Sequence, residues 1–129
     1  VEADEKKVGA FVESFPFTPT KGQERAITDI MKDFAHPHPM YRLLEGDVGS
    51  GKTAVAAATV YAVVTSRPKN QNFGRLQVAY MCPTEILAKQ HFKTFTDFFI
   101  DHPIDIGLIT SSGCYKFPSK MNPQEATKI

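Results

Sequence analysis

The chain has 129 residues, of which 42% are hydrophobic and 22% are charged, a balance typical of a globular domain rather than a disordered segment. Fifteen basic and fourteen acidic residues leave a formal net charge of +1, so the bulk charge neither indicates nor excludes a nucleic-acid partner. No apolar run could span a bilayer, the first residues do not resemble a signal peptide, and Cys82 and Cys114 lack metal-type spacing, so we expect a cytoplasmic protein with reduced thiols and no membrane partner.

The first predicted helix follows an extended, proline-containing segment. Residues 1–14 are polar with scattered apolar positions, and we interpret them as the end of a preceding segment or a linker. Residues 15–19 should be extended, because a proline disfavours the helical conformation in the residue before it. Thr20 and Gln23 have capping-box spacing, which predicts that a helix starts there. Pro37 and Pro39 are predicted to end it. Its apolar face comprises Ala26, Ile27, Ile30, Met31 and Phe34.

Residues 46–53 read Gly-Asp-Val-Gly-Ser-Gly-Lys-Thr, the complete spacing of a Walker A phosphate-binding loop. Glycines let the backbone fold tightly, so that successive N–H groups can face phosphate oxygens. Lys52 is predicted to reach the β- and γ-phosphates of a nucleoside triphosphate, and the Thr53 hydroxyl to ligate the bridging Mg²⁺. The predicted phosphate-binding residues are Gly46, Asp47, Val48, Gly49, Ser50, Gly51, Lys52 and Thr53.

The flanking sequence supports this interpretation of the loop. An apolar stretch at 41–44 predicts a preceding strand, and the uncharged run at 54–64 predicts the helix whose N-terminus would face the phosphates. The alternative is a glycine-rich turn with a lysine at its edge, and the strand–loop–helix pattern disfavours it. We therefore expect the chain to bind a nucleoside triphosphate or to come from a protein that does.

Further elements are predicted after a polar connection at 66–75, which we interpret as a surface insertion. Residues 76–82 and 104–109 predict two more strands, and Thr84 can cap a helix between them whose aromatic stripe is a core face. Residues 111–129 lack periodicity and predict a polar loop or tail. Strands that alternate with helices predict an α/β fold with a parallel sheet flanked by helices.

Only three strands fit within the chain, so the predicted sheet is small. The sequence also begins with Val1 instead of Met and shows no terminating signal at Ile129. Both features favour an incomplete fragment of a longer protein.

Three blocks in this order resemble the first motor domain of RecG-type ATP-dependent DNA helicases, members of helicase superfamily two. They are Phe-Pro-Phe-Thr-Pro-Thr-Lys-Gly-Gln at 15–23, Arg-Leu-Leu-Glu-Gly-Asp-Val-Gly-Ser-Gly-Lys-Thr at 42–53, and Met-Cys-Pro-Thr-Glu-Ile-Leu-Ala-Lys-Gln-His at 81–91. The resemblance implies a partial ATP-binding helicase domain over 15–110, with a P-loop NTPase (RecA-like) fold. ATP and Mg²⁺ are the cofactors that it implies.

The resemblance also implies roles for residues outside the loop. Gln23 would hydrogen-bond the adenine edge, with Phe17 near the base; its alternative role is the capping box with Thr20, and one side chain would not serve both. The segment that grips one DNA strand at its phosphates would comprise Pro83, Thr84, Glu85 and Gln90. The alternative for that segment is an ordinary strand-to-helix junction with a good cap.

The chain departs from the family pattern at two places that bear on the DNA site. Cys82 stands where the family usually has alanine before the proline, a change that should matter little. Thr110 is followed by Ser111 and Ser112, where the family commonly has Thr-Gly. A glycine there would allow close approach to a phosphate, so we assign Ser111 no DNA role.

The implied function is the ATP-binding part of a DNA helicase or translocase that acts on branched DNA in recombination and repair and couples ATP hydrolysis to DNA movement. Its partners would be DNA, a second motor domain and a wedge domain; no oligomer is predicted. No Asp-Glu-x-His-type segment occurs in the chain, so we expect weak nucleotide binding and no useful hydrolysis. The alternatives are a transcription-repair coupling translocase and a truncated, non-catalytic nucleotide- or DNA-binding module, while the third block disfavours a metabolic kinase.

Overall fold

A computed structural model describes residues 1–46, 51–119 and 125–129, which divide into two compact units, Val1–Val78 and Ala79–Ile129. No helix in these ranges is both long and apolar enough to cross a membrane. The elements in chain order are α1 Glu5–Glu13, α2 Lys21–Phe34, α3 Lys52–Val64, α4 Glu85–Phe99, β1 Ile106–Thr110, β2 Gly113–Phe117 and β3 Thr127–Lys128.

The predicted capping box begins α2. Thr20 Oγ1 accepts the Gln23 N–H at 3.1 Å, and Gln23 Oε1 accepts the Thr20 N–H at 2.8 Å. These two bonds satisfy donors that a helix start otherwise leaves without partners. The helix ends at Phe34, three residues before Pro37. The prediction of this helix is confirmed.

The core of the first unit lies where α1 and α2 pack on α3, the helix after the phosphate loop. Small alanine side chains on α3 are fully buried and let the neighbouring helices approach closely. Phe11 of α1 is 1% exposed and stacks on Tyr61 of α3, with ring centroids 4.4 Å apart. Residues 5–13, which we interpreted as part of a preceding segment or linker, therefore contribute to the core that supports the loop. That core comprises Val8, Ile27, Ile30, Val55, Ala58 and Ala62.

In the second unit, α4 packs on a three-stranded antiparallel sheet of order β1-β2-β3. The register pairs Ile106 with Phe117 and Thr110 with Gly113, so a two-residue turn joins β1 to β2. Gly113 has φ +147°, a value that L side chains rarely adopt and that suits the start of β2 after so tight a turn. The apolar core residues of this unit are Phe95, Phe99, Ile104, Leu108 and Phe117.

The structure does not confirm the predicted parallel sheet. The strand predicted at 104–109 overlaps β1, but its partner is the antiparallel strand β2, which lies in the segment predicted as a polar loop or tail. Residues 41–44 and 76–82 form neither helix nor strand, and Tyr41 is fully exposed. A strand exists only where a neighbouring strand takes up its backbone hydrogen bonds, and apolar composition does not say which neighbour that will be. The short turn supplied β1 with the partner nearest in the chain.

Candidate nucleotide and DNA sites

The candidate phosphate loop ends at the N-terminus of α3. Gly51 is the N-cap residue, with φ +82° and ψ +25°, and Lys52 and Thr53 are the first two residues of the helix. No side chain caps this helix in the ranges that the structure describes, so its first N–H groups are suited to an anion. The predicted residues Asp47, Val48, Gly49 and Ser50 lie outside the described residues.

Lys52 joins the two described ends of the loop. Its ammonium nitrogen Nζ donates to the carbonyl oxygen of Gly46 at 2.8 Å. The side chain is exposed and carries its charge at the entrance to α3, where the helix dipole also favours an anion. Lys52 and Gly51 are thus placed where a polyphosphate would meet both an ammonium group and a helix N-terminus.

Gln23 also contacts the end of the loop, which the sequence did not indicate. Its Nε2 donates to the Gly51 carbonyl at 3.3 Å while its Oε1 takes part in the capping box, and the residue is 8% exposed. A side-chain amide offers two N–H donors and two lone pairs, so one donor and one lone pair remain after these bonds. The capping box is confirmed. From the sequence we expected the capping box to exclude any other role for the Gln23 side chain, but the box occupies only part of the amide. The adenine contact stays a prediction.

Phe17 lies on the extended segment before α2. Its side chain is 43% exposed, and its ring centroid lies 5.3 Å from that of Phe15 with the planes tilted by 34°. The two rings take part in lining an open recess of about 410 Å³ formed by residues 12–13 and 15–19. An exposed aromatic face beside such a recess is suited to stacking on a flat ring such as a nucleobase.

The candidate DNA-binding residues cluster at the start of α4. Thr84 is its N-cap, and the threonine Oγ1 accepts the Leu87 N–H at 3.2 Å. Pro83, Thr84 and Gln90 are all exposed. This junction therefore presents a helix N-terminus to solvent, an arrangement that suits a backbone phosphate and equally an ordinary capped helix.

Glu85 differs from these neighbours, because its carboxylate faces the turn between β1 and β2. Oε1 accepts the Thr110 hydroxyl at 3.3 Å and also the Ser112 hydroxyl, and Oε2 accepts the Ser111 hydroxyl at 3.4 Å. Lys89, one helical turn later, lies 3.3 Å from Oε1. The Ser112 hydrogen bond, followed by that of Lys89, lowers the pKa of Glu85 below its ordinary value. The sequence signal for this cluster is Thr110-Ser111-Ser112, which departs from the Thr-Gly that the family commonly has. That departure alone does not indicate Glu85 as the partner.

The DEAD/DEAH box helicase family model matches residues 20–126, an interval that begins at the N-cap of α2 and contains both the phosphate loop and the start of α4. The chain is 47% identical over 112 residues to the ATP-dependent DNA helicase RecG of Aquifex aeolicus (strain VF5), a match that covers 87% of this chain and 13% of that protein. No solved structure matches the chain.

Two further relatives carry the same name. Identity is 44% over 102 residues to the RecG helicase of Bacillus subtilis (strain 168), covering 79% of this chain and 14% of the relative. It is 41% over 119 residues to that of Pasteurella multocida (strain Pm70), covering 92% and 15%. The chain thus spans 13–15% of the length of these curated relatives.

Proposed function

Because the chain belongs to the DEAD/DEAH box helicase family, we propose that it is the ATP-binding part of a DNA helicase or translocase that acts on branched DNA in recombination and repair. ATP hydrolysis in the whole protein would be coupled to movement on DNA, with a second motor domain and a wedge domain as partners. The observation that carries the nucleotide part is the bond from Lys52 Nζ to the Gly46 carbonyl at the N-terminus of α3. The relatives' names supply the ATP-dependent and DNA-directed parts.

The nucleotide would be held by groups of different chemistry. Lys52 would exchange its bond to the Gly46 carbonyl for the β- and γ-phosphates, since a charge-assisted bond to phosphate is stronger than one to a neutral carbonyl. The first N–H groups of α3 would bind phosphate oxygens. A hydroxyl at the second helical position fits the hard, oxygen-preferring Mg²⁺, so Thr53 would hold the ion, which when bound neutralises phosphate charge.

The base would be recognised on the side of α2. After its bonds to the described residues, the Gln23 amide retains one N–H and one lone pair, the donor and acceptor that the adenine edge requires. Phe17 offers an exposed ring face. Because Gln23 is bonded to the Gly51 carbonyl, a base contact there would act directly on the N-cap residue of α3. ATP would then be preferred over nucleotides that lack the adenine edge.

DNA would be bound at the start of α4, with Pro83, Thr84 and Gln90 on the exposed side of the junction. Phosphate contacts of this kind fix the position of a strand without reading its sequence. The proposed site therefore implies binding that depends on salt concentration more than on base composition.

A substitution of Lys52 tests the nucleotide site. We expect Lys52→Ala to weaken Mg-ATP binding by tenfold or more, because a charged hydrogen bond contributes about 1.5–3 kcal/mol and 1.4 kcal/mol corresponds to a factor of about ten. Titration calorimetry with Mg-ATP measures the change. Lys21→Ala is the matched control, since Lys21 is also an exposed lysine at the first position of a helix. Equal affinity of the Lys52→Ala and wild-type chains would refute the proposed site.

A further inference from the structure

We propose that Glu85 serves DNA binding as a positioning residue, one that holds the β1–β2 turn against the first turn of α4 and does not contact the phosphate itself. The inference rests on the proposed DNA-binding function of the start of α4. It separates Glu85 from the other residues that the family resemblance assigned to this site, which are Pro83, Thr84 and Gln90.

The carboxylate oxygens of Glu85 are largely occupied by partners within the chain. An ionised carboxylate has about four lone-pair positions, and here three hydroxyl groups and one ammonium group lie within hydrogen-bonding distance of them. Little acceptor capacity remains, and a carboxylate has no donor to offer a phosphate. A negative charge brought to a phosphate would also repel it. Glu85 therefore has the wrong charge for direct contact and is already engaged.

The hydroxyl groups that contact Glu85 belong to the β1–β2 hairpin and its turn. Thr110 has a single hydroxyl hydrogen, which lies within reach of both Glu85 Oε1 and the Gly113 carbonyl, at 3.3 and 3.2 Å. Ser111 and Ser112 are the other donors that can join the turn to α4. The Ser112 Oγ also lies 3.2 Å from the Thr110 Oγ1, and either of these two hydroxyls can donate to the other. These serines form the two-residue turn itself, so the bonds reach the tip of the hairpin, 26 and 27 residues along the chain from Glu85.

Glu85 lies at the exposed junction that begins α4. It follows the N-cap Thr84 directly and is the first helical residue, so hydrogen bonds to its side chain restrain the junction itself. Lys89 braces the carboxylate from the next turn of the same helix. The Glu85 carboxylate thus joins the β1–β2 turn and the start of α4 in one polar cluster. This cluster fixes the orientation of the helix start to which DNA would bind.

The test compares Glu85→Ala, Ser112→Ala and Glu85→Gln with the matched control Glu5→Ala, which removes an exposed glutamate that is also at the first position of a helix. Fluorescence anisotropy with a labelled branched DNA measures the affinity for DNA. Amide hydrogen exchange at residues 106–117 measures how firmly the Glu85 hydrogen bonds hold the β1–β2 turn. We expect Glu85→Ala and Ser112→Ala each to weaken DNA binding by about three- to tenfold and to speed exchange at the turn. Glu85→Gln keeps one acceptor oxygen and should fall between wild type and Glu85→Ala, and Glu5→Ala should match wild type.

The double variant Glu85→Ala/Ser112→Ala should be no weaker in DNA binding than Glu85→Ala alone, because both changes break the same tie. A purely structural defect would also reduce Mg-ATP affinity, which should stay unchanged here. Wild-type affinity in both Glu85→Ala and Ser112→Ala, or tighter binding by Glu85→Ala, would overturn the positioning role while leaving the DNA function in place. A wild-type chain that binds no DNA would overturn both.

Discussion

Gly51, at the end of the phosphate loop, is in direct contact with α2 through the Gln23 side chain. Its φ of +82° lies in the left-handed region, and a Cβ built there would lie 1.8 Å from Gln23 Nε2. The backbone conformation therefore favours glycine, and any larger side chain would also have to displace the end of the Gln23 side chain. The Walker A pattern predicts the glycine, but the pattern contains no information about Gln23, 28 residues earlier in the chain.

Substitution of this glycine tests the contact. We expect Gly51→Ala to displace Gln23 from the Gly51 carbonyl and to lower the free energy of unfolding by about 1–3 kcal/mol, since an L residue in the left-handed region costs about 1–2 kcal/mol before any clash is counted. Urea unfolding measures the change. Gly9→Ala, in the middle of α1 with open space around its Cα, is the control and should leave stability equal or slightly raised. A Gly51→Ala chain as stable as wild type would contradict the geometry.

At the scale of elements, α4 and the β1–β2 hairpin are joined in two ways. Apolar side chains form the core of the unit, and the polar cluster around Glu85 joins the start of the helix to the turn. The apolar part was predictable, because Phe95 and Phe99 recur at helical spacing and both are buried. The polar part was not, because it depends on a turn that closes β1 onto β2.

The lowered pKa of Glu85 predicts how this junction responds to acid. A carboxyl whose pKa is lower in the folded chain stabilises the fold above the ordinary glutamate pKa, and that stabilisation is lost as the pH falls through the lowered value. Lys89 is the charged group beside it, and the hairpin contributes hydroxyl groups. We expect the turn to loosen on acidification below the ordinary glutamate range.

An NMR titration of the amides of residues 110–113 measures this transition. The Glu85→Gln chain should show no acid transition at these amides. This result separates Glu85 from Asp33, another described carboxylate with a lowered pKa, whose hydrogen bond is to Arg42 in the first unit. The same acid transition in wild-type and Glu85→Gln chains would assign it to another group.

At the scale of the whole molecule, the chain spans 13–15% of the length of its curated relatives. All three relatives bear the name RecG, which confirms the resemblance predicted from the three sequence blocks and favours that type of helicase over a transcription-repair coupling translocase. The family match over residues 20–126 supports a P-loop NTPase fold of the RecA-like kind. Branched DNA as the substrate and the coupling of hydrolysis to movement stay proposals.

The chain is expected to bind ATP without turning it over. No Asp-Glu-x-His-type segment occurs in its 129 residues, and the carboxylates of such a segment hold Mg²⁺ and orient the attacking water. Phosphate release from Mg-ATP, measured with and without DNA, should not exceed that of the Lys52→Ala chain. Steady release by the wild-type chain that disappears in Lys52→Ala would show that this expectation is wrong.

The sequence alone determined the features that depend on residues near one another in the chain. Thr20 and Gln23 predicted the start of α2, the uncharged run after the loop predicted α3, and Thr84 predicted the cap of α4. Caps and helical periodicity involve residues three or four apart, so a short window of sequence contains both partners.

Tertiary structure decided the contacts between distant segments. It gave β1 an antiparallel partner where a parallel sheet was predicted, and it brought Gln23 to Gly51 and Glu85 to Ser112. Each of these contacts depends on which segments fold back beside one another, and composition records only that a segment tends to be buried or polar. The phosphate loop could therefore be recognised from its spacing. The contacts of Gln23 with the end of the loop, and of Ser112 with Glu85 at the start of α4, required the tertiary structure, because they join parts of the chain that are distant in sequence.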